Sequence, residues 1–240
     1  MGLPILILHG WGSCGENWAK VKELLEAQGY KVIVPDLPGF GQSPIPAIIW
    51  NLDNYADWVK DFAEKNNLGR LSGEQAEPFF LLGHSFGGSI GIKFAVKYPE
   101  RLMGLILVSA GRISKRKPVK NFFFLLAAKT GKLFFRQRIF KRIIYRLAGS
   151  RDYLLARGGV MRETMKKVIS EDLKPYLPKI NVKTLIIWGD KDKVTPVADA
   201  YLIKKEIKNS VLEVIPNVGH RIRLEAPGIL VEKVKEFIKT

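Results

Sequence analysis

The chain has 240 residues and one cysteine, Cys14, so an internal disulfide is excluded. That scarcity fits a reducing compartment, and the cytoplasm is the default expectation. No run of about 18 apolar residues occurs, so a transmembrane helix is not expected. The apolar stretch within residues 1–8 has no charged segment before it and reads as a strand, not a signal peptide. Histidine is also scarce: His9, His84 and His220 are the three present. His, Cys and carboxylates do not cluster at metal-ligand spacings, so neither a metal nor another cofactor is expected. Gly39-Phe40-Gly41 lacks the third glycine of a dinucleotide turn, and Pro44 follows it, which argues against a nucleotide site. Acidic residues run short in one place. Residues 111–178 hold 18 Lys and Arg against 4 Asp and Glu, whereas the rest of the chain has 21 against 19. Nearly all of the net charge of +16 therefore sits in one segment.

What remains is a chain that is 47% apolar, enough to bury a core. Short apolar runs recur at Leu3–Leu8, Lys31–Pro35, Phe79–Leu82, Gly104–Val108, Thr184–Trp188 and Val211–Ile215. Runs that are apolar throughout belong to strands buried on both faces. Helical patterns lie between them, at Trp18–Gln28, Leu52–Asn66, Ile90–Tyr98, Val197–Lys205 and Ile229–Ile238. Gly29 and Asn51 stand where a C-cap and an N-cap are needed. The alternation predicts an α/β fold, a doubly wound parallel sheet of about six strands. Residues 1–110 and 179–240 form its core, and the basic segment 111–178 is an insert.

One motif carries chemistry. Gly83-His84-Ser85-Phe86-Gly87-Gly88 follows an apolar run and precedes a helical pattern. This is G-x-S-x-G in the strand–turn–helix setting that exposes a serine hydroxyl above a sheet edge. Serine needs a base. His9 and His84 sit inside glycine motifs and read as structural, which leaves His220, just after the last strand run. An acid to orient His220 is expected after the preceding strand, where Asp190 and Asp192 both stand. Cys14 has no base of its own and reads as an inert thiol.

Five motifs in order resemble the α/β-hydrolases of the esterase group. They are His9-Gly10-Trp11-Gly12, Asp36-Leu37-Pro38-Gly39-Phe40-Gly41, the serine turn, Pro99-Glu100-Arg101-Leu102, and Gly219-His220 with Glu225-Ala226-Pro227. The wording of the first two is most similar to pimeloyl-acyl-carrier methyl ester esterases. The resemblance implies a Ser85–His220–Asp192 triad, with Asp190 a turn residue. It implies an oxyanion hole from the backbone N–H groups of Trp11 and Phe86. It also implies a sheet without the family's opening antiparallel hairpin, so that Lys31–Pro35 lies at an edge. In this family a helical cap is inserted where residues 111–178 fall.

The resemblance thus implies a serine hydrolase of carboxylic esters or thioesters. Acyl transfer, perhydrolysis and C–C hydrolysis run on the same triad. A reading from another class is a basic binding protein on a relic scaffold. Within the insert, Lys132–Ala148 reads as one amphipathic helix, with Arg138, Lys141, Arg142 and Arg146 interleaved among apolar residues. Its charge fits a solvated lid, the docking of an acidic carrier protein or acidic substrate, or contact with an anionic membrane surface. Nucleic acid is not expected, because no reading motif accompanies the charge.

Overall fold

The computed structural model describes residues 2–68, 78–111, 113 and 159–239. The helix expected over residues 132–148, with its charged face, lies outside the described residues. The strands are β1 (Pro4–Leu8), β2 (Lys31–Ile33), β3 (Phe79–His84), β4 (Leu102–Val108), β5 (Thr184–Gly189) and β6 (Ser210–Ile215). They form one six-stranded sheet in the order β2-β1-β3-β4-β5-β6. Every pairing in it is parallel. The edge strand β2 is short and ends at Ile33, two residues before Pro35.

The apolar runs are strands because each residue finds a layer to enter. Leu6, Leu81, Leu107 and Ile186 point into one core, while their neighbours Ile5, Leu82, Ile106 and Ile187 point into the other. The helices are α1 (Ala19–Glu26), α2 (Leu52–Lys65), α3 (Phe86–Lys97), α4 (Val160–Ser170), α5 (Ala198–Glu206), α6 (Ile222–Glu225) and α7 (Pro227–Lys239). Residues of α2, α3 and α5 fill the first layer, and residues of α1 and α7 fill the second. Asn51 caps α2 through a reciprocal pair: Asn54 N–H donates to Asn51 Oδ1, and Asn51 N–H donates to Asn54 Oδ1, each at 2.9 Å.

Most element ends shift by one or two residues from expectation, and two helix starts differ in kind. A 3₁₀ turn, Gly15–Trp18, precedes α1. Helix α3 begins at Phe86, not Ile90, directly after Ser85. Gly87 and Gly88 are not breakers there: a Cβ on Gly87 would stand 2.2 Å from the Leu8 carbonyl oxygen. Glycine lets α3 press against β1. Helix α4 lies within the basic segment, and α6 follows the histidine loop.

The strand order positions the site. From β1 the chain turns outward to β2, whereas β3 lies on the other side of β1. Adjacent strands whose connections leave in opposite directions open a crevice at their carboxyl ends. The loops after β1 and β3, which carry His9–Gly12 and Ser85, meet at that crevice.

Candidate active site

Ser85 joins β3 to α3 with φ +52° and ψ −114°. This left-handed conformation is strained for serine. It is held from several sides. Ser85 N–H donates to the Val108 carbonyl at 3.1 Å, and the Ser85 carbonyl accepts from Gly88 N at 2.9 Å and Gly111 N at 2.7 Å. A Cβ on Gly83 would fall 2.4 Å from the Gly87 carbonyl oxygen, so the turn closes only with glycine there. Phe86 is the first helical residue, and its N–H lies among those with no intrahelical partner.

Asp192 and His220 meet across 28 residues of sequence: Nδ1 of His220 donates to Asp192 Oδ2 at 2.8 Å. The aspartate side chain has no exposed surface. Burial pushes its pKa up, but the His220 bond and the N–H groups of Thr195 and Val194 outweigh that and leave it below the ordinary value. Val194 N and Thr195 N donate to Oδ1 at 2.8 and 2.9 Å. The Thr195 hydroxyl donates to Oδ2 at 2.9 Å and lies 3.3 Å from His220 Nδ1. Sequence reasoning missed Thr195. Asp190 is exposed and lies 3.6 Å from Lys191, away from the histidine.

The other motif residues hold the loops. Leu37 N–H donates to His9 Nε2 at 3.0 Å, so Nδ1 carries the proton that bonds the Gly10 carbonyl at 2.8 Å. Burial lowers the His9 pKa to about 4. His84 donates through Nε2 to the His220 carbonyl at 2.9 Å. Burial and then the adjacent His220 lower its pKa to about 3. Both histidines are thus neutral props, as their glycine settings indicate. Asp36 accepts from Gly15 N at 2.6 Å and from Gln42 N at 2.8 Å, clamping the loop after β1 to the one after β2. Glu225 accepts from Gly219 N at 2.7 Å and Arg221 N at 3.1 Å, on either side of His220.

Trp11, Ser85, Phe86, Thr195 and His220 line one cavity of about 580 Å³. Asp192 stands behind His220. The Trp11 and Phe86 rings meet edge to face at 5.1 Å, which packs the two loops that carry the expected oxyanion donors. Met165, Val168 and Ile169, all of α4, line the same cavity, so the described end of the basic segment covers it. Among the described residues, no group of His, Cys, Asp or Glu is arranged to hold a metal ion.

A family model described as serine aminopeptidase, S33, matches residues 4–227. The chain belongs to this family. With its parallel sheet it is an α/β-hydrolase, and solved α/β-hydrolases share the fold. It is similar to Lipase 3 of Moraxella sp. strain TA144, at 28% identity over 256 residues, covering 98% of this chain and 77% of the lipase. It is similar to the 2-hydroxy-6-oxo-6-(2'-aminophenyl)hexa-2,4-dienoic acid hydrolase of Metapseudomonas resinovorans, at 30% identity over 261 residues, covering 99% and 84%. Among solved structures, a thermophilic esterase of Thermogutta terrifontis superposes with a TM-score of 0.75 at 25% identity, covering 100% of this chain and 90% of that one.

Proposed function

We propose that this hydrolase cleaves carboxylic esters or thioesters through an acyl-enzyme on Ser85. The observation that carries the reading is the His220–Asp192 bond of 2.8 Å at the wall of the cavity that Ser85 enters on a strained turn. Ser85 Oγ attacks the acyl carbon. His220 Nε2 takes the hydroxyl proton and returns it to the leaving alcohol or thiol. Asp192 fixes the tautomer, with Nδ1 protonated, and offsets the charge of the imidazolium. The N–H groups of Trp11 and Phe86 hold the oxyanion. Water then attacks the acyl-enzyme with His220 as base, and Ser85 leaves as the free hydroxyl.

The dienoic acid hydrolase relative favours a second reading. An oxo acid with no heteroatom leaving group is hydrolysed by breaking a C–C bond, with His220 protonating carbon instead of oxygen. The lipase and esterase relatives weigh toward the ester.

The test is a chain-length series of p-nitrophenyl esters and acyl thioesters, run on the native protein and on Ser85→Ala. The variant loses about 10⁴-fold or more in kcat while keeping its fold. Retention of about a tenth of the activity in a clean preparation overturns the mechanism. A native protein that ignores every ester and thioester but turns over a 6-oxo dienoic acid selects the second reading.

A further inference from the structure

Arg223 is a buried cation that the proposed reaction does not use. It lies on α6, three residues beyond His220, and is 9% exposed. Two guanidinium nitrogens, Nε and Nη1, are buried without a hydrogen-bond partner. The group lies over the Trp18 ring, 5.9 Å from its centroid. A long cationic side chain ordinarily keeps its head in water. Here burial, and then the charge of Arg221, push its pKa down.

Two carboxylates of this end of the fold are engaged elsewhere. Glu225, on the same helix, accepts backbone N–H groups with both oxygens. Asp192 is taken by His220, Thr195 and Val194. Arg223 and Arg221 both line the cavity of Ser85, and no Asp or Glu lines it among the described residues. The wall is therefore positive. The two unmet nitrogens are buried away from the cavity, so an anion there meets Arg223 through the part of the side chain that lines the wall. A charge-assisted contact with that guanidinium offsets the cost of burying the cation.

We propose that Arg223 anchors an oxyanion subsite in this cavity, and that the substrate carries a carboxylate or phosphate as well as its scissile acyl group. The proposal rests on the reading that Ser85 reacts in the same cavity. It places the substrate among half-esters of dicarboxylic acids, oxo acids or phosphate-bearing esters, not simple neutral esters.

The experiment compares p-nitrophenyl hydrogen adipate, p-nitrophenyl methyl adipate and a p-nitrophenyl ester of equal length ending in phosphate. The native protein favours an anionic ester over the neutral one by about tenfold or more in kcat/KM. Whichever anionic ester leads identifies the oxyanion. Arg223→Met cuts that preference by about tenfold, and Arg223→Lys retains part of it. A native protein indifferent to the anion, or one that prefers the neutral ester, overturns the subsite whether or not the variants fold. Calorimetry on Ser85→Ala with monomethyl adipate and with inorganic phosphate separates the subsite from the chemistry. Saturable binding without ester turnover by the native protein keeps the subsite and discards the serine esterase reading. Absence of binding by either anion, with ester turnover intact, does the reverse.

Discussion

At the scale of single residues, the site divides by how far each role can be seen along the chain. Ser85 stands in a short glycine motif, and His220 is the histidine left once the other two are set aside, so the roles proposed for them are legible along the chain. Asp192 is separable from Asp190 in the sequence only by resemblance, and the structure shows the physical difference. Asp192 is buried and bonded to His220, whereas Asp190 is exposed beside Lys191. Asp192→Asn is therefore expected to lower kcat by about 10⁴, because the amide favours the wrong imidazole tautomer. Asp190→Asn loses far less. Steady-state kinetics on the two variants check this, and a larger loss at Asp190 reverses the assignment. Thr195 was not legible, because its hydroxyl acts on a carboxylate through the geometry of a turn. It bonds the same Asp192 oxygen that receives His220. Thr195→Val removes that donor at nearly constant volume. A hydrogen bond to a charged group is worth about 1.5–3 kcal/mol, so kcat falls by roughly 10-fold or somewhat more. A native kcat in the variant would deny Thr195 any part in orienting the pair.

At the scale of elements, the strands were legible because burial on both faces writes an unbroken apolar run. The start of α3 was not, since a Gly-Gly pair reads as a breaker until the Leu8 carbonyl is seen against it. Helix α4 was masked by the charge of its segment. How α4 is tied to the core was also invisible, because the tie depends on one buried lysine of a largely apolar helix. Lys93, on α3, has a side chain only 4% exposed. It pairs with Asp53 of α2 at 3.0 Å and with Glu171, just past α4, at 2.8 Å. Its ammonium also lies 3.9 Å from the centre of the Tyr176 ring. Burial opposes the charge, but the bonds to Glu171, Tyr176 and Asp53 prevail and hold its pKa above the ordinary value. Removing one partner of a fully buried pair costs about 3–5 kcal/mol. Asp53 is 41% exposed and can rehydrate, so Lys93→Met should cost less, about 2 kcal/mol. For a chain of this size that lowers Tm by about 4–8 °C, measurable by calorimetry. Loss below about 1 °C would show that the three charges contribute nothing net.

At the scale of the whole molecule, the doubly wound sheet followed from alternation alone, and the crevice follows from its strand order. The glycine motifs mark His9 and His84 as structural, but they do not show which loops the two rings join or that burial keeps them neutral. That arrangement makes the fold sensitive to acid, and the sign can be worked out. His9 and His84 have folded pKa values of about 4 and about 3, against an ordinary 6.5. Below 6.5 the unfolded chain takes up two protons that the folded chain refuses. Their contribution to stability is complete above the unfolded value and is lost as pH falls toward the folded values. Asp192 has the opposite charge type, and its folded pKa is lowered from 3.8. Its contribution is lost only below that pH, so it leaves the window between 6.5 and 4.5 to the histidines. Near pH 5 nearly two protons separate the states, which gives a slope of about 2.5 kcal/mol per pH unit. Thermal unfolding followed across that window should show Tm falling by about 5–10 °C per unit. Replacing His9 by Asn removes one of the two protons and should roughly halve the slope, although the variant starts from a lower Tm. A native Tm that stays flat from pH 6.5 to 4.5 would mean that these imidazoles take up protons without unfolding the loops they join.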